Sequence, residues 1–138
     1  MTKRGFTLLE VLIVVIIIGI LAAIAMPQYM STLEKARSGE AMTNIGTIRT
    51  SLDRYWYEKL ALPSNNDFSV LDIADPNDQN QRMWNYYFTD GGTDATTRKY
   101  TVTAYRYKNA TEDTNTYVIW TQTDNNTGAI TKSSNIGG

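Results

Sequence analysis

Apolar positions along the chain follow two unlike patterns. Over residues 6–26 they are continuous: 21 residues hold one charge, Glu10, and one hydroxyl, Thr7. Farther on they become periodic, with Ala41, Ile45, Ile48, Leu52 and Tyr55 spaced four, three, four and three apart, the stripe of a helix with one buried face. Trp56 and Leu60 extend that stripe, whereas Lys35, Arg37, Glu40, Arg49, Asp53 and Lys59 fall mostly outside it. Leu62-Pro63-Ser64-Asn65-Asn66 supplies a stop and a turn. Residues 6–60 therefore predict one long bent helix, apolar all round in its first half and amphipathic in its second.

Residues 61–83, rich in Asn, Asp and Gln, predict a loop with one helical turn at 70–74. Segments 84–89, 99–107, 116–123 and 129–132 are rich in Thr, Tyr and Val. The breaks at 90–92, 109–115 and 124–128 carry Asp, Asn and Gly turn chemistry. Three or four antiparallel strands follow from this. A sheet so small needs a second layer, and the 41–55 stripe is the available one. The fold class is α+β: a long N-terminal helix packed by its distal half on a small antiparallel sheet.

The continuous apolar half poses a solvent problem. At 1.5 Å per residue it makes a helix about 31 Å long, close to the roughly 30 Å hydrocarbon core of a bilayer. A helix without a polar face must be covered, and the rest of so short a chain cannot both wrap it and build a core. The run of Val11 and Ile13 to Ile18 favours a strand in water, but unpaired backbone groups are prohibitive in lipid and helix wins there. Fourteen Phe, Leu, Ile or Val residues contribute roughly −4 to −8 kcal/mol on insertion, against at most about +3 for one carboxylate. Lys3 and Arg4 precede the segment, so the positive-inside tendency keeps the N-terminus cytoplasmic and sends residues 28–138 across. Pro27 has no amide hydrogen for the Ala23 carbonyl, and Gly19 weakens the same stretch, so a kink or soft segment is expected between them.

Composition narrows the chemistry. The 138 residues include no Cys and no His, which excludes Ser-His-Asp and Cys-His catalysis, Cys/His zinc sites and disulfides. Any enzyme would rest on carboxylates alone, and the expectation is a non-enzyme. With 13 basic against 14 acidic residues, net charge −1, and the basic residues scattered, no nucleic-acid footprint is expected for the subunit alone.

Met1-Thr2-Lys3-Arg4-Gly5 followed by Phe6-Thr7-Leu8-Leu9-Glu10-Val11 closely resembles the class III signal of type IV pilins and of the pseudopilins of type II secretion. The resemblance runs over about residues 1–30, through Gly19-Ile20-Leu21-Ala22-Ala23-Ile24-Ala25 and Met26-Pro27-Gln28-Tyr29. It implies a leader, residues 1–5, removed by a prepilin peptidase that cuts between Gly5 and Phe6 and N-methylates Phe6. It further implies a hydrophobic transmembrane and assembly helix over 6–28, and a globular head over 29–138 that includes the amphipathic half-helix. The implied role of Glu10 is to receive the Phe6 amine of a neighbouring subunit, since both charges are costly alone in low dielectric. Phe6 and Glu10 stand four residues apart, one helical turn on the same face. Gly19 and Pro27 would lend the filament flexibility.

The implied partners are further copies of the chain, the peptidase, an assembly ATPase and an inner-membrane platform protein. The implied course runs from inner-membrane precursor to surface filament, or to periplasmic filament for a pseudopilin. The head departs from the family pattern in having no disulfide, and Thr47 stands where some relatives have a second helix proline. No cofactor is expected. Calcium, which major pseudopilins use in the C-terminal loop, could draw on Asp72, Asp75, Asp78, Asp90, Asp94 or the Asp124-Asn125-Asn126-Thr127-Gly128 turn, but the spacing is incomplete and solvated loop acids are the expectation. A removable secretory signal cut after Ala25, releasing a binding module, is the alternative from another class; it leaves Glu10 unexplained.

Overall fold

A computed structural model describes residues 6–136; Gly5 and the rest of the 1–5 leader lie outside the described residues. The first element, α1, is a single helix of 52 residues, Leu8–Lys59, about 78 Å long. Pro27 stands inside it without ending it. The missing N–H removes one rung of the hydrogen-bond ladder, and the turns on either side carry the helix across. At the far end Leu60 enters the left-handed region (φ 53°, ψ 28°) and its N–H donates to the Trp56 carbonyl at 2.8 Å. Leu60 therefore leaves the apolar stripe it was expected to extend and is exposed.

The connection from α1 to the sheet holds 3-10 turns at Phe68–Val70 and Pro76–Asp78, in place of one helical turn at 70–74. Local capping sets their positions. Asp67 Oδ1 accepts from the Ser69 N–H and Asp75 Oδ1 from the Asn77 N–H. Four antiparallel strands follow as a meander in the order β1 (Trp84–Asp90), β2 (Tyr100–Lys108), β3 (Thr111–Gln122), β4 (Gly128–Lys132). β3 starts at Thr111 rather than 116 because Asn109 and Ala110 alone make the turn, both at positive φ (53° and 59°), as a type I′ hairpin requires. The polar residues that suggested a longer turn instead form an irregularity. Tyr105 pairs with Tyr117 but Arg106 pairs with Asp113, leaving residues 114–116 bulged out of the ladder.

Burial alternates along β1 as far as Thr89 and along β2, which puts Trp84, Tyr86, Phe88, Tyr100, Val102 and Ala104 on one face with Val118 of β3 beside them. Against that face lie Ala41, Ile45, Ile48 and Leu52 of α1, with Phe68, Leu71 and Ile136 closing the margins of the core. Trp56 is buried at the end of the same helix stripe. The outer edge of β1 is not left open. Asn65 Oδ1 accepts from the Asp90 N–H, Asn66 Oδ1 from the Phe88 N–H and Asn77 Oδ1 from the Tyr86 N–H, while Asn77 Nδ2 donates to the Tyr86 carbonyl, each at 2.8 Å. These asparagines stand in for a fifth strand and block pairing at that edge.

Candidate functional site

The part of the molecule that its own fold leaves unsatisfied is the first half of α1. Every residue from Phe6 to Thr32 is exposed. Among the described residues one helix is long and apolar enough to cross a membrane, and its apolar window has no burial within the chain. No packing within the subunit requires a glycine at Gly19, since a Cβ there would meet nothing within 4 Å.

The tip of this rod is built by a capping box. Thr7 is the N-cap in extended conformation; its N–H and its hydroxyl each donate to Glu10 Oε2 at 2.8 Å, and the Glu10 N–H donates back to Thr7 Oγ1 at 3.3 Å. Two orphan donors of the first turn are thereby satisfied reciprocally, and the carboxylate sits at the positive end of the helix dipole. Phe6 consequently precedes the helix instead of sharing a helical turn with Glu10. Thr7, the cap of this first turn, is the residue that the hydrophobic pattern passes over. Its signal was the Thr-x-x-Glu spacing, Thr7 to Glu10. Cleavage between Gly5 and Phe6 would leave both Thr7 donors in place.

Where the rod meets the head, a second charged constellation fixes its direction. Arg106 of β2 is 5% exposed, and its Nε donates to Glu34 Oε2 at 3.1 Å while Nη1 donates to the Met83 and Tyr107 carbonyls. Arg37 Nη1 holds Glu34 Oε1 at 2.6 Å, and Trp84 Nε1 donates to the Arg37 carbonyl at 3.2 Å. Desolvation pushes the Glu34 carboxyl up, but the hydrogen bonds and charges of Arg37 and Arg106 outweigh it and hold the group below the ordinary glutamate range. Glu34 thus stays ionised between two arginines and ties α1 to the sheet immediately beyond the exposed rod.

Most of the acids considered for calcium have other work. Asp72 engages Arg54 and Ser51. Asp90 Oδ1 accepts from the N–H groups of Gly92 and Thr93, Asp94 Oδ1 from those of Thr96 and Thr97, and Asp124 Oδ1 from those of Asn126 and Thr127. In the 124–128 turn the Asn125 carbonyl already accepts Arg98 Nη2 at 2.7 Å. A divalent ion on that oxygen would sit within about 5 Å of the guanidinium, a repulsion on the order of 6 kcal/mol at an effective dielectric near 20. That carbonyl is thus a poor calcium ligand. No cluster of three or more acidic residues suited to a metal occurs among the described residues.

Comparison with known proteins bears on the rod. A family model described as the prokaryotic N-terminal methylation motif matches residues 1–26. The type II secretion system core protein G of Pseudomonas aeruginosa is 38% identical over 84 residues, 60% of this chain and 59% of that protein. Its Escherichia coli counterpart is 39% identical over 64 residues, 46% of this chain and 44% of that protein. The type IV major fimbrial protein FimA of Dichelobacter nodosus is 47% identical over 51 residues, 37% of this chain and 33% of that protein. The chain thus spans between 33% and 59% of the length of these relatives. No solved structure matches it. The chain carries the N-terminal methylation motif and is similar, over a shared segment, to both type IV fimbrial and type II secretion core subunits.

Proposed function

We propose that the chain is a structural subunit, not an enzyme, that is cut between Gly5 and Phe6, methylated on Phe6, and polymerised through its N-terminal helix into a type IV pilus-like surface filament. The observation that carries this reading is the exposed apolar rod, tipped by Glu10 and lying within the methylation motif. In the membrane the rod is covered by lipid, and the Thr7 donors reduce the cost of bringing the Glu10 carboxylate there. In a filament the rod is covered by copies of itself, and Glu10 receives the charged amine of a neighbour's Phe6. Moving an apolar helix from lipid to a core of like helices gains little hydrophobic free energy, so helix packing and the ion pair supply specificity. Extraction therefore calls on an external assembly ATPase and platform protein. Gly19 and Pro27, both in the uncovered half, are the places where the rod gives when the filament bends.

A second reading, the major pseudopilin of a type II secretion system, is supported to a similar degree, by the match to core protein G over 84 residues. It uses the same rod and the same acid and differs in where the filament ends. Substituting Glu10→Gln or Glu10→Leu is expected to abolish surface filaments in electron micrographs while processed protein still accumulates in the membrane; normal filaments from either variant would refute the pairing. N-terminal sequencing of the wild type is expected to begin at methyl-Phe6, whereas a chain beginning at Met26 would make it a secreted module. Filaments confined to the periplasm would select the pseudopilin reading.

A further inference from the structure

At the end of the sheet far from Arg106, a second arginine is withdrawn from solvent. Arg98 belongs to the 91–99 loop, two residues before β2, and is 5% exposed. Its Nη2 donates to the Asn125 carbonyl at 2.7 Å, and its backbone N–H donates to Asn125 Oδ1 at 2.8 Å. Asn125 Nδ2 in turn donates to the Thr96 carbonyl at 2.8 Å, so the turn after β3 and the loop before β2 are stitched together around one side chain. On the helix side Arg98 Nε stands 3.1 Å from Asp53 Oδ1, an ion-pair contact whose angle falls outside hydrogen-bond geometry. The same carboxylate oxygen accepts from Tyr100 Oη at 2.6 Å. The guanidinium carbon lies 5.5 Å from the ring centroids of both Trp56 and Tyr57, and Trp56 Nε1 donates to the Asp94 carbonyl at 3.0 Å.

These contacts bring three separate pieces of chain onto one positive charge: the last turns of α1, the 91–99 loop and the 123–128 turn. A backbone carbonyl takes a hydrogen bond from Nη2, a carboxylate lies beside Nε and two aromatic rings lie near the guanidinium, while Nη1 is buried without a hydrogen-bond partner among the described residues, so charge and ring contacts carry most of its compensation. We propose that Arg98 is a built-in cation that closes the distal end of the head, joining α1 to the two loops and making the 123–128 turn independent of divalent metal. Lysine would not substitute fully, because a single ammonium cannot hold the Asn125 carbonyl and the Asp53 carboxylate on separate nitrogens while lying by the two rings. This assignment concerns the head alone and does not depend on how the rod assembles.

The test uses the full chain in detergent, followed by thermal unfolding and limited proteolysis with calcium added or chelated. Wild-type melting temperature and cleavage pattern are expected to be the same in both conditions. Arg98→Gln is expected to lower the melting temperature by at least about 10 °C and to open the 123–128 turn to protease, with Arg98→Lys recovering part of the loss. Should Arg98→Gln fail to fold, Asn125→Ala, which keeps the guanidinium and removes the stitch to Thr96, is expected to give the same loop cleavage with a smaller shift. A wild-type melting temperature that rises with calcium and falls on chelation would overturn the proposal. So would an Arg98→Gln or Asn125→Ala chain with wild-type melting and an intact turn.

Discussion

The two halves of α1 are one helix with two fates. Between Leu8 and Met30 the large apolar side chains are exposed, whereas Ala41, Ile45, Ile48, Leu52 and Trp56 are buried. The difference is one of arrangement more than of residue type. Isoleucines and leucines spread over every side of a helix cannot all face one small sheet, so they require cover from outside the subunit. The same residues confined to one stripe can be covered by seven-residue and nine-residue strands, as β1 and β2 do. The Glu34–Arg106 pair stands at the boundary between the two regimes.

The sharpest way to break this contrast is to truncate one leucine in each half. Leu52→Ala should lower the stability of the head by about 2 to 5 kcal/mol through lost burial and a residual cavity. Leu12→Ala should leave head unfolding unchanged in detergent, because Leu12 is half exposed on the rod and takes no part in the head's core. Equal losses in denaturant melts would show that rod and head are not separable.

A smaller effect is expected at the boundary itself. Arg106→Met leaves Glu34 paired with Arg37 but without the buried guanidinium, and leaves the Met83 and Tyr107 carbonyls without this donor. It should cost about 2 to 4 kcal/mol, less than for a fully buried pair because the Glu34 side chain keeps 26% exposure. The same pair makes stability depend on acidity. Since the folded state depresses the Glu34 pKa from its ordinary 4.5, the carboxylate stabilises the fold above that value and its contribution disappears as pH falls through the lowered one. Melting curves of wild type and Glu34→Gln should therefore differ most near neutrality and converge in acid; a gap that widened on acidification would contradict the pairing.

The smallest change concerns the point where the buried half ends. Leu60 holds φ 53°, a conformation that glycine adopts freely, and its side chain is exposed. Leu60→Gly should raise the stability of the head by up to about 1 kcal/mol, read as a modest upward shift in melting temperature. A fall would mean that the exposed leucine makes a contact absent from the single subunit.

Much of this architecture is legible in residue order. The continuous run, the 41–56 stripe and the Thr-, Tyr- and Val-rich segments each announce their element, because periodicity reflects how many faces a segment buries. Leu60 and the β3 boundary depart from that reading for a common reason. Backbone φ at Leu60, Asn109 and Ala110 is set by how chain segments must join, and neither leucine nor alanine signals the left-handed region. Within the site, Glu10 is conspicuous as a lone acid. Its partner Thr7 was available from spacing alone, whereas the proposed pairing with a Phe6 amine would belong to an assembly and not to one chain.

Residue order thus settles which segments must be hidden and by roughly what kind of layer, since hydrophobic burial is non-directional and depends on pattern. Only the tertiary structure decides which polar residues matter. Glu34 finds Arg106 from 72 positions away, Arg98 finds Asn125 across 27, and Asn65, Asn66 and Asn77 turn a polar loop into the guard of a strand edge. An arginine or asparagine is written the same way whether it is solvated or paired. Hydrogen bonds and ion pairs are short-ranged and directional, so their partners exist only once the chain has folded and placed them within reach.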